Sequence, residues 1–324
     1  MDRRTLLTTL AATAAAGAAP WARAQDYPTQ LIKWVVPYPA GGGTDVIART
    51  LSEAMRQTLG QQIVIDNRPG ASTNIGADIV AKSKPDGYTI LSADNAVLAF
   101  NEHLFNKLPF NPEKDFTYIG AIGKFPLALV VHPDFPAQDF KAFLAYVKAN
   151  PGKVNYASPG NGSPHHLAME LFKNRTGTFI THIPYRGAAP AMADVMGGQV
   201  PCMFLDLASG LSIMQGKKVR VLAIGSGARS NLLPGVPTLA EVGVPNSEVF
   251  AFQGILGPAG MPPAVVNRLN ADLNKAFTTP AVQKRFADFG MEAMPGSPQQ
   301  FFALSRAESQ RWGPIIKAAN IKLD

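Results

Sequence analysis

Residues 31–60 read LIKWVVPYPAGGGTDVIARTLSEAMRQTLG, and the fold is decided by how this stretch changes character along its length. Leu31 to Val36 is an apolar run of strand length, interrupted only by Lys33, and reads as a buried strand. Pro37 to Gly43 is a Gly- and Pro-rich loop. Thr44 and Asp45 suit an N-cap, Ile47, Leu51, Met55 and Leu59 recur at helical spacing, and Gly60 closes the helix. A strand feeding a glycine loop and then a helix is the opening half of a βαβ unit.

The unit repeats. Ile63 to Asp66 is a strand followed by the loop Asn67 to Asn74 and a helix around Ile75 to Lys82; the strand Tyr88 to Leu91 then ends at Ser92-Ala93-Asp94-Asn95. The pattern restarts with the strand Leu127 to Val131, a helix from Phe140 to Ala149, and the strand Val154 to Ala157. The loop Ser158-Pro159-Gly160-Asn161-Gly162-Ser163 opens a helix with Pro164 in its first turn, where a missing N–H costs least. Strands at Phe179 to Pro184, Val200 to Asp206 and Val219 to Ile224 complete a second α/β set, and Arg229 to Ser247 is irregular. A strand-like run, Val249 to Leu256, leads into helices at Pro263 to Thr278, Pro280 to Phe289 and Pro298 to Ala319, the last two with Thr279 and Ser297 as cap candidates. The expectation is an α/β protein of two lobes, each a mostly parallel sheet flanked by helices. Lobe 1 would take residues 25–125 plus 251–324 and lobe 2 residues 126–250, with chain crossings near 125 and 250.

Composition agrees with that division. The chain has 324 residues, 46% hydrophobic and 16% charged, too apolar for disorder and longer than one core usually serves. Residues 1–24 have the parts of a secretory signal: Arg3 and Arg4, an apolar run from Leu6 to Ala19, and the box Ala22-Arg23-Ala24. The twin arginine resembles a Tat signal imperfectly, and a Sec reading stands beside it. Losing this segment, with three arginines and one aspartate, takes the net charge from +7 to +5. The basic residues are scattered, not striped, so no nucleic-acid partner is expected. Cys202 is the one cysteine, among apolar neighbours, and reads as a buried thiol.

Chemistry is expected at two loops, Tyr38 to Asp45 and Ser158 to Pro164. Glycines let backbone amides approach a ligand, and the first turn of a helix adds unpaired N–H groups and a partial positive charge. Such a site suits a carboxylate. Neither loop has a P-loop ending or a dinucleotide fingerprint, so no cofactor is expected. His165 and His166 are adjacent and diverge on a helix, so even with His182 a metal site is not expected. Ser163 and His166 are the pieces of a hydrolase alternative, though Gly162-Ser163-Pro164 is no nucleophile elbow and Ser163 is more simply an N-cap.

These loops also carry a resemblance. Val36 to Asp45, Asn67-Arg68-Pro69-Gly70-Ala71, Pro85-Asp86-Gly87-Tyr88-Thr89, Gly160-Asn161-Gly162-Ser163 with His166-Leu167-Ala168, His182 to Gly187, Gly197 to Val200 and Pro234 to Thr238 follow in order along the chain. As a set they resemble the Bug family, the TctC-like periplasmic substrate-binding proteins of tripartite tricarboxylate transporters. The resemblance implies a two-lobed Venus-flytrap receptor without catalysis, monomeric, closing on a small carboxylate and delivering it to the transporter's membrane subunits. It also implies a ligand held by backbone groups and ordered waters with few salt bridges. Carried onto this chain, one wall takes Tyr38, Ala40, Gly41, Gly43, Thr44, Asp45, Ser92 and Asn95, and the other Asn161, Gly162, Ser163, Tyr185 and Asp206. The chain departs from the family pattern at Leu205-Asp206-Leu207, where many relatives have Asp-Asn, and at Phe252, where many have Trp or Tyr. A ligand sensor for a membrane signalling partner is a further alternative.

Overall fold

The computed structural model describes residues 27–323, so the signal-peptide reading of residues 1–24 lies outside the described residues. The first lobe is built from β1 (Ile32–Val36), α1 (Gly43–Leu59), β2 (Ile63–Asn67), α2 (Asn74–Ala81), β3 (Thr89–Asp94), a wide helical turn at Ala96–Phe100 and α3 (Asn101–Leu104). β4 (Phe116–Val131) leads into α4 (Phe140–Ala149), β5 (Asn155–Ser158), α5 (Pro164–Thr176), β6 (Thr181–Pro184), α6 (Ala188–Met196), β7 (Cys202–Asp206), α7 (Leu207–Gln215) and β8 (Arg220–Ile224). β9 (Phe250–Pro258) returns the chain to α8 (Pro263–Ala276), α9 (Pro280–Asp288), β10 (Glu292–Ala293) and α10 (Pro298–Ala318).

The strands join in the order β2-β1-β3-β9-β4-β7-β5-β6, with β8 and β10 also on β4. β4 is the continuous link. Its first part, Phe116 to Pro126, pairs with β9 in the first lobe, and Leu127 to Val131 pairs with β7 and β8 in the second. The sequence suggests a strand only from Leu127, because Gly120, Gly123, Lys124 and Pro126 break the apolar pattern. The structure accommodates those residues with two register shifts against β9. β1, β2 and β3 are mutually parallel, as are β5, β6 and β7, and β9 runs antiparallel between β3 and β4.

Burial explains the layers. Ile32, Trp34 and Val36 pack on α1, α8 and α9, while Val35 turns to the opposite face and packs with α2 and α10. This is the period-two alternation of a strand covered on both faces. In lobe 2, Leu127, Leu129 and Val131 pack towards α4 and α5, and Ala128 and Val130 towards α6 and α7. Each fully buried side chain of this size is worth about 1.5–3 kcal/mol. Gly254 fixes how closely α10 approaches: a Cβ there would lie 2.2 Å from the Phe301 ring and 2.7 Å from the Gly120 carbonyl.

The tail does not stay with one lobe. α10 begins on lobe 1, where Phe301 is buried, but Trp312 and Ile316 join the cluster in which Phe100 and Leu104 of lobe 1 meet the apolar residues of lobe 2. The last helix thus braces both lobes on one side. Ser297 starts it with a full capping box to Gln300, as its sequence suggests. Thr279 occupies the N-cap position of α9 but makes no side-chain capping bond; its hydroxyl donates to the Ala276 carbonyl. Neither Thr44 nor Asp45 caps α1, whose N-cap is Gly42.

Candidate functional site

β3 and β4 both run antiparallel to β9, so β1, β2 and β3 advance with β4 toward lobe 2. β7 runs antiparallel to β4, so β5, β6 and β7 advance toward lobe 1. The carboxyl ends of both strand sets therefore face the interlobe groove, the usual ligand position in open α/β sheets.

On the lobe 1 wall the N-terminus of α1 is open. No side chain caps it, unlike α5 and α7, which are capped by Ser163 and Asp206. Its first-turn amides at Gly43, Thr44 and Asp45 keep the donor capacity and partial positive charge of a helix start. Gly41 has φ +85°, which favours glycine, and a Cβ at Gly41 or Gly43 would meet nothing within 4 Å. Packing does not exclude a side chain at Gly43, so its absence leaves room for a ligand.

Asp45 shapes this wall from within. Its carboxylate accepts from the Gly41 amide at 2.9 Å, from Arg49 at 2.9 and 3.0 Å, and from Asn67 Nδ2 at 2.9 Å. Burial alone would raise its pKa, but these donors outweigh it and hold the carboxyl below the usual range. Asn67 also donates to the Tyr38 carbonyl at 3.0 Å, tying the β2 loop to the β1 loop. Tyr38 gives its hydroxyl to Asp94, Ser92 accepts from Trp34 Nε1 at 2.9 Å, and Asn95 bonds Phe250 and Phe252 on β9. Burial pushes the Asp94 carboxyl up against the opposing pull of Tyr38 and the Ala96 amide. Asn67 and Asp94 escape the site reading from sequence. Asn67 was visible in the motif beginning Asn67-Arg68-Pro69, whereas Asp94 had no signal beyond its place at the end of a strand.

The lobe 2 wall is more internally bonded. Ser163 Oγ accepts from the His166 amide at 3.3 Å and donates to the Gly160 carbonyl at 2.7 Å. The Gly162 amide donates to His166 Nδ1 at 3.0 Å, so the His166 ring is turned from Ser163 and the hydrolase alternative lacks its nucleophile–base contact. A Cβ on Gly162 would strike Leu104 and Leu323, which marks where this loop meets α3 and the C-terminal tail. Asn161 is exposed. Tyr185 donates to Asp194 at 2.6 Å, and burial followed by that carboxylate pushes its hydroxyl up to about 12. Asp206 accepts from His165 Nε2 at 2.8 Å and from the Ser209 amide at 2.7 Å.

Behind this wall three rings stack. His166 lies 4.0 Å from His182 at 7°, and His182 lies 4.7 Å from Tyr156 at 19°. Burial first, then nearby positive groups, lowers His166 to about 4 and His182 to about 3, against 6.5 for a free imidazole. Between those values the unfolded chain binds more protons than the folded one, so stability is lost as pH falls below about 6.5. The depressed carboxylates Asp45 and Asp206 lose stability only below about 4. Asp94, with its carboxyl pushed up, works in the opposite direction. The melting temperature is therefore expected to fall between pH 6.5 and 4.5, with a shallower slope in His182→Asn. Equal slopes in the two proteins would contradict the assignment.

A separate hollow of about 570 Å³ opens beside the point where β4 and β9 pass between the lobes, lined by Lys124, Ser226, Arg229, Glu248, Phe250 and Glu292 among others. None of the expected site residues lines it. Its cations are paired, Lys124 with Glu292 at 3.4 Å and Arg229 with Glu241 at 2.9 Å. It offers an anion less than the open start of α1 does.

A family model described as the tripartite tricarboxylate transporter family receptor matches residues 47–321. The chain belongs to that family. The receptor is 37% identical to the protein BugT of Bordetella pertussis over 311 residues, covering 96% of this chain and 95% of BugT. Among solved structures it is similar to Rpa4515 of R. palustris with adipate, at 33% identity and TM-score 0.85, covering 91% of this chain and 99% of that one. It is also similar to the periplasmic binding protein BugD, at 33% identity and TM-score 0.83, covering 91% and 99%. The two-lobed α/β receptor fold expected from the sequence is the fold these relatives share. Among the described residues no helix of the receptor is long and apolar enough to cross a membrane.

Proposed function

We propose that this receptor works in the periplasm as a monomer, binds a small organic carboxylate in the interlobe groove without transforming it, and delivers it to the membrane subunits of a tripartite tricarboxylate transporter. The observation that carries this reading is the uncapped N-terminus of α1 at the carboxyl end of β1, with glycine-made space before it. Few cations are needed, because amides and bridging waters can hold a carboxylate. The relative bound to adipate supports a carboxylate of this size.

The test is a melting screen of mono- and dicarboxylates, amino acids, aromatic acids and neutral solutes. A true ligand at 100 times its Kd stabilises the fold by about 2.7 kcal/mol. For a protein of this size that is a rise of about 4 °C. Silence across the acids with a response to neutral solutes would sink the carboxylate reading.

A further inference from the structure

On each lobe a glycine lies against leucines of the other lobe. Gly290 follows α9 at φ +58°, and a Cβ there would lie 2.9 Å from Leu232 Cδ1, 3.0 Å from Leu207 Cβ and 3.1 Å from Leu207 Cδ2. Leu207 and Leu232 belong to the apolar cluster of lobe 2, whereas Phe286 and Met291 beside Gly290 belong to the lobe 1 cluster with α1 and α8. In reverse, a Cβ on Gly162 of lobe 2, at φ +74°, would lie 2.7 Å from Leu104 of α3. Carbon atoms in ordinary contact stand about 3.5–4.0 Å apart. At both points the backbone comes as near as a missing side chain allows.

Both contacts stand at the groove. Leu207 starts α7 at the carboxyl end of β7, and Gly162 follows the carboxyl end of β5. The helices after these two strands pack on opposite faces of the lobe 2 sheet, α5 with Phe143 and Phe204 and α7 with Ala128 and Val130, so the lobes meet on two sides. Beside Gly290 they stand apart: the hollow of about 570 Å³ is lined by Phe286, Gly290 and Met291 from lobe 1 and by Ser226, Arg229 and Leu232 from lobe 2. Gly290 therefore marks a point of contact between the lobes, not part of a broad packed interface.

Such a stop acts on binding without touching the ligand. A ligand that bridges the start of α1 and the lobe 2 wall needs one separation of the two walls, and its apparent affinity falls with the fraction of molecules that reach it. A side chain at position 290 would wedge Leu207 and Leu232 away from lobe 1 and widen the groove for every ligand alike.

We infer that Gly290 is a positioning residue: with Leu207 and Leu232 it sets how closely the lobes approach, and thereby scales the affinity for all groove ligands by one common factor. This rests on the carboxylate reading above.

The test is calorimetric titration with succinate, glutarate and adipate, with small-angle X-ray scattering at saturating acid. The proteins are the wild type, Gly290→Ala, the double variant Gly290→Ala with Leu232→Ala, Leu232→Phe and Gly177→Ala. Gly177 ends α5 at φ +63° with nothing within 4 Å of an added Cβ, so Gly177→Ala carries the same left-handed backbone cost without a contact between lobes. Gly290→Ala is expected to weaken every acid that the wild type binds by a similar factor, roughly tenfold or more, and to keep a larger radius of gyration at saturation. Leu232→Phe fills the same space from the other lobe, leaves the Gly290 backbone unaltered and should act in the same direction. The double variant, with the nearest obstructing atom gone, should regain part of the affinity, and Gly177→Ala should bind as the wild type does. A folded Gly290→Ala with unchanged affinity overturns the inference. So does a loss confined to one of several bound acids, which would make position 290 a ligand contact, and so does an equal loss in Gly177→Ala, which would make the effect one of stability. If Gly290→Ala does not fold, unchanged affinity in Leu232→Phe overturns it. A wild type that binds none of the three acids overturns the carboxylate reading and this inference with it.

Discussion

Asp45→Ala is expected to weaken carboxylate binding more than a hundredfold while lowering stability by about 2 kcal/mol. The two effects differ because the side chain does two things. For stability, its removal strands the Gly41 amide and one donor of Asn67, but Arg49 is half exposed and can turn to water, so the full cost of breaking a buried ion pair does not apply. For binding, the bond from Gly41 to Asp45 bends the loop back over the start of α1, and Asn67 fixes both Asp45 and the Tyr38 carbonyl. Without that brace the first-turn amides no longer face one bound geometry, and positioning errors of about 1 Å are costly at such a site. Asp45→Asn, which keeps one acceptor, should fall between the two proteins. Urea unfolding and calorimetric titration on the same samples measure both quantities. Unchanged affinity in Asp45→Ala would show that the loop keeps its shape without this residue.

Asn95→Leu is expected to cost about 2–5 kcal/mol of stability. Asn95 is fully buried, donates to the Phe250 carbonyl at 3.2 Å and accepts from the Phe252 amide at 2.8 Å. It thus clamps the end of β3 to the strand by which the chain re-enters lobe 1. Leucine fills a similar volume but leaves both backbone groups buried and unpaired. A residue whose task was only to touch ligand would give a different result: a melting temperature near wild type with affinity lost. Differential scanning calorimetry without ligand separates the two.

Much of the fold was legible in sequence because the signals are local. The apolar run before Gly41, the spacing from Ile47 to Leu59 and the prolines opening three late helices each report on their own neighbourhood. The first half of β4 was hidden because its pairing with β9 tolerates Gly120, Gly123 and Pro126 that a strand pattern would reject. α7 was hidden for a similar reason: Ser209, Gly210 and Ser212 dilute it, although Asp206 before Leu207, Leu211 and Met214 was a usable start signal. The site divides the same way. Its glycine loops were readable, since glycine marks special backbone wherever it falls. What could not be read was which side chains already have partners. Tyr38, Ser92, Asp45 and Asn95, expected on the ligand wall, each have polar atoms engaged by residues 4 to 157 positions away. His165 is the converse case, adjacent to a motif but with a ring nitrogen that finds no partner among the described residues.

The direct measurement is a backbone amide NMR titration of the receptor with the acid that gives the largest melting shift. If α1 holds a carboxylate, the amide resonances of Gly43, Thr44 and Asp45 move together, saturably, and with the dissociation constant found by calorimetry. Saturable shifts confined to the hollow around Lys124, Ser226 and Arg229, with the α1 amides still, would place the ligand elsewhere and contradict a carboxylate site at the start of that helix.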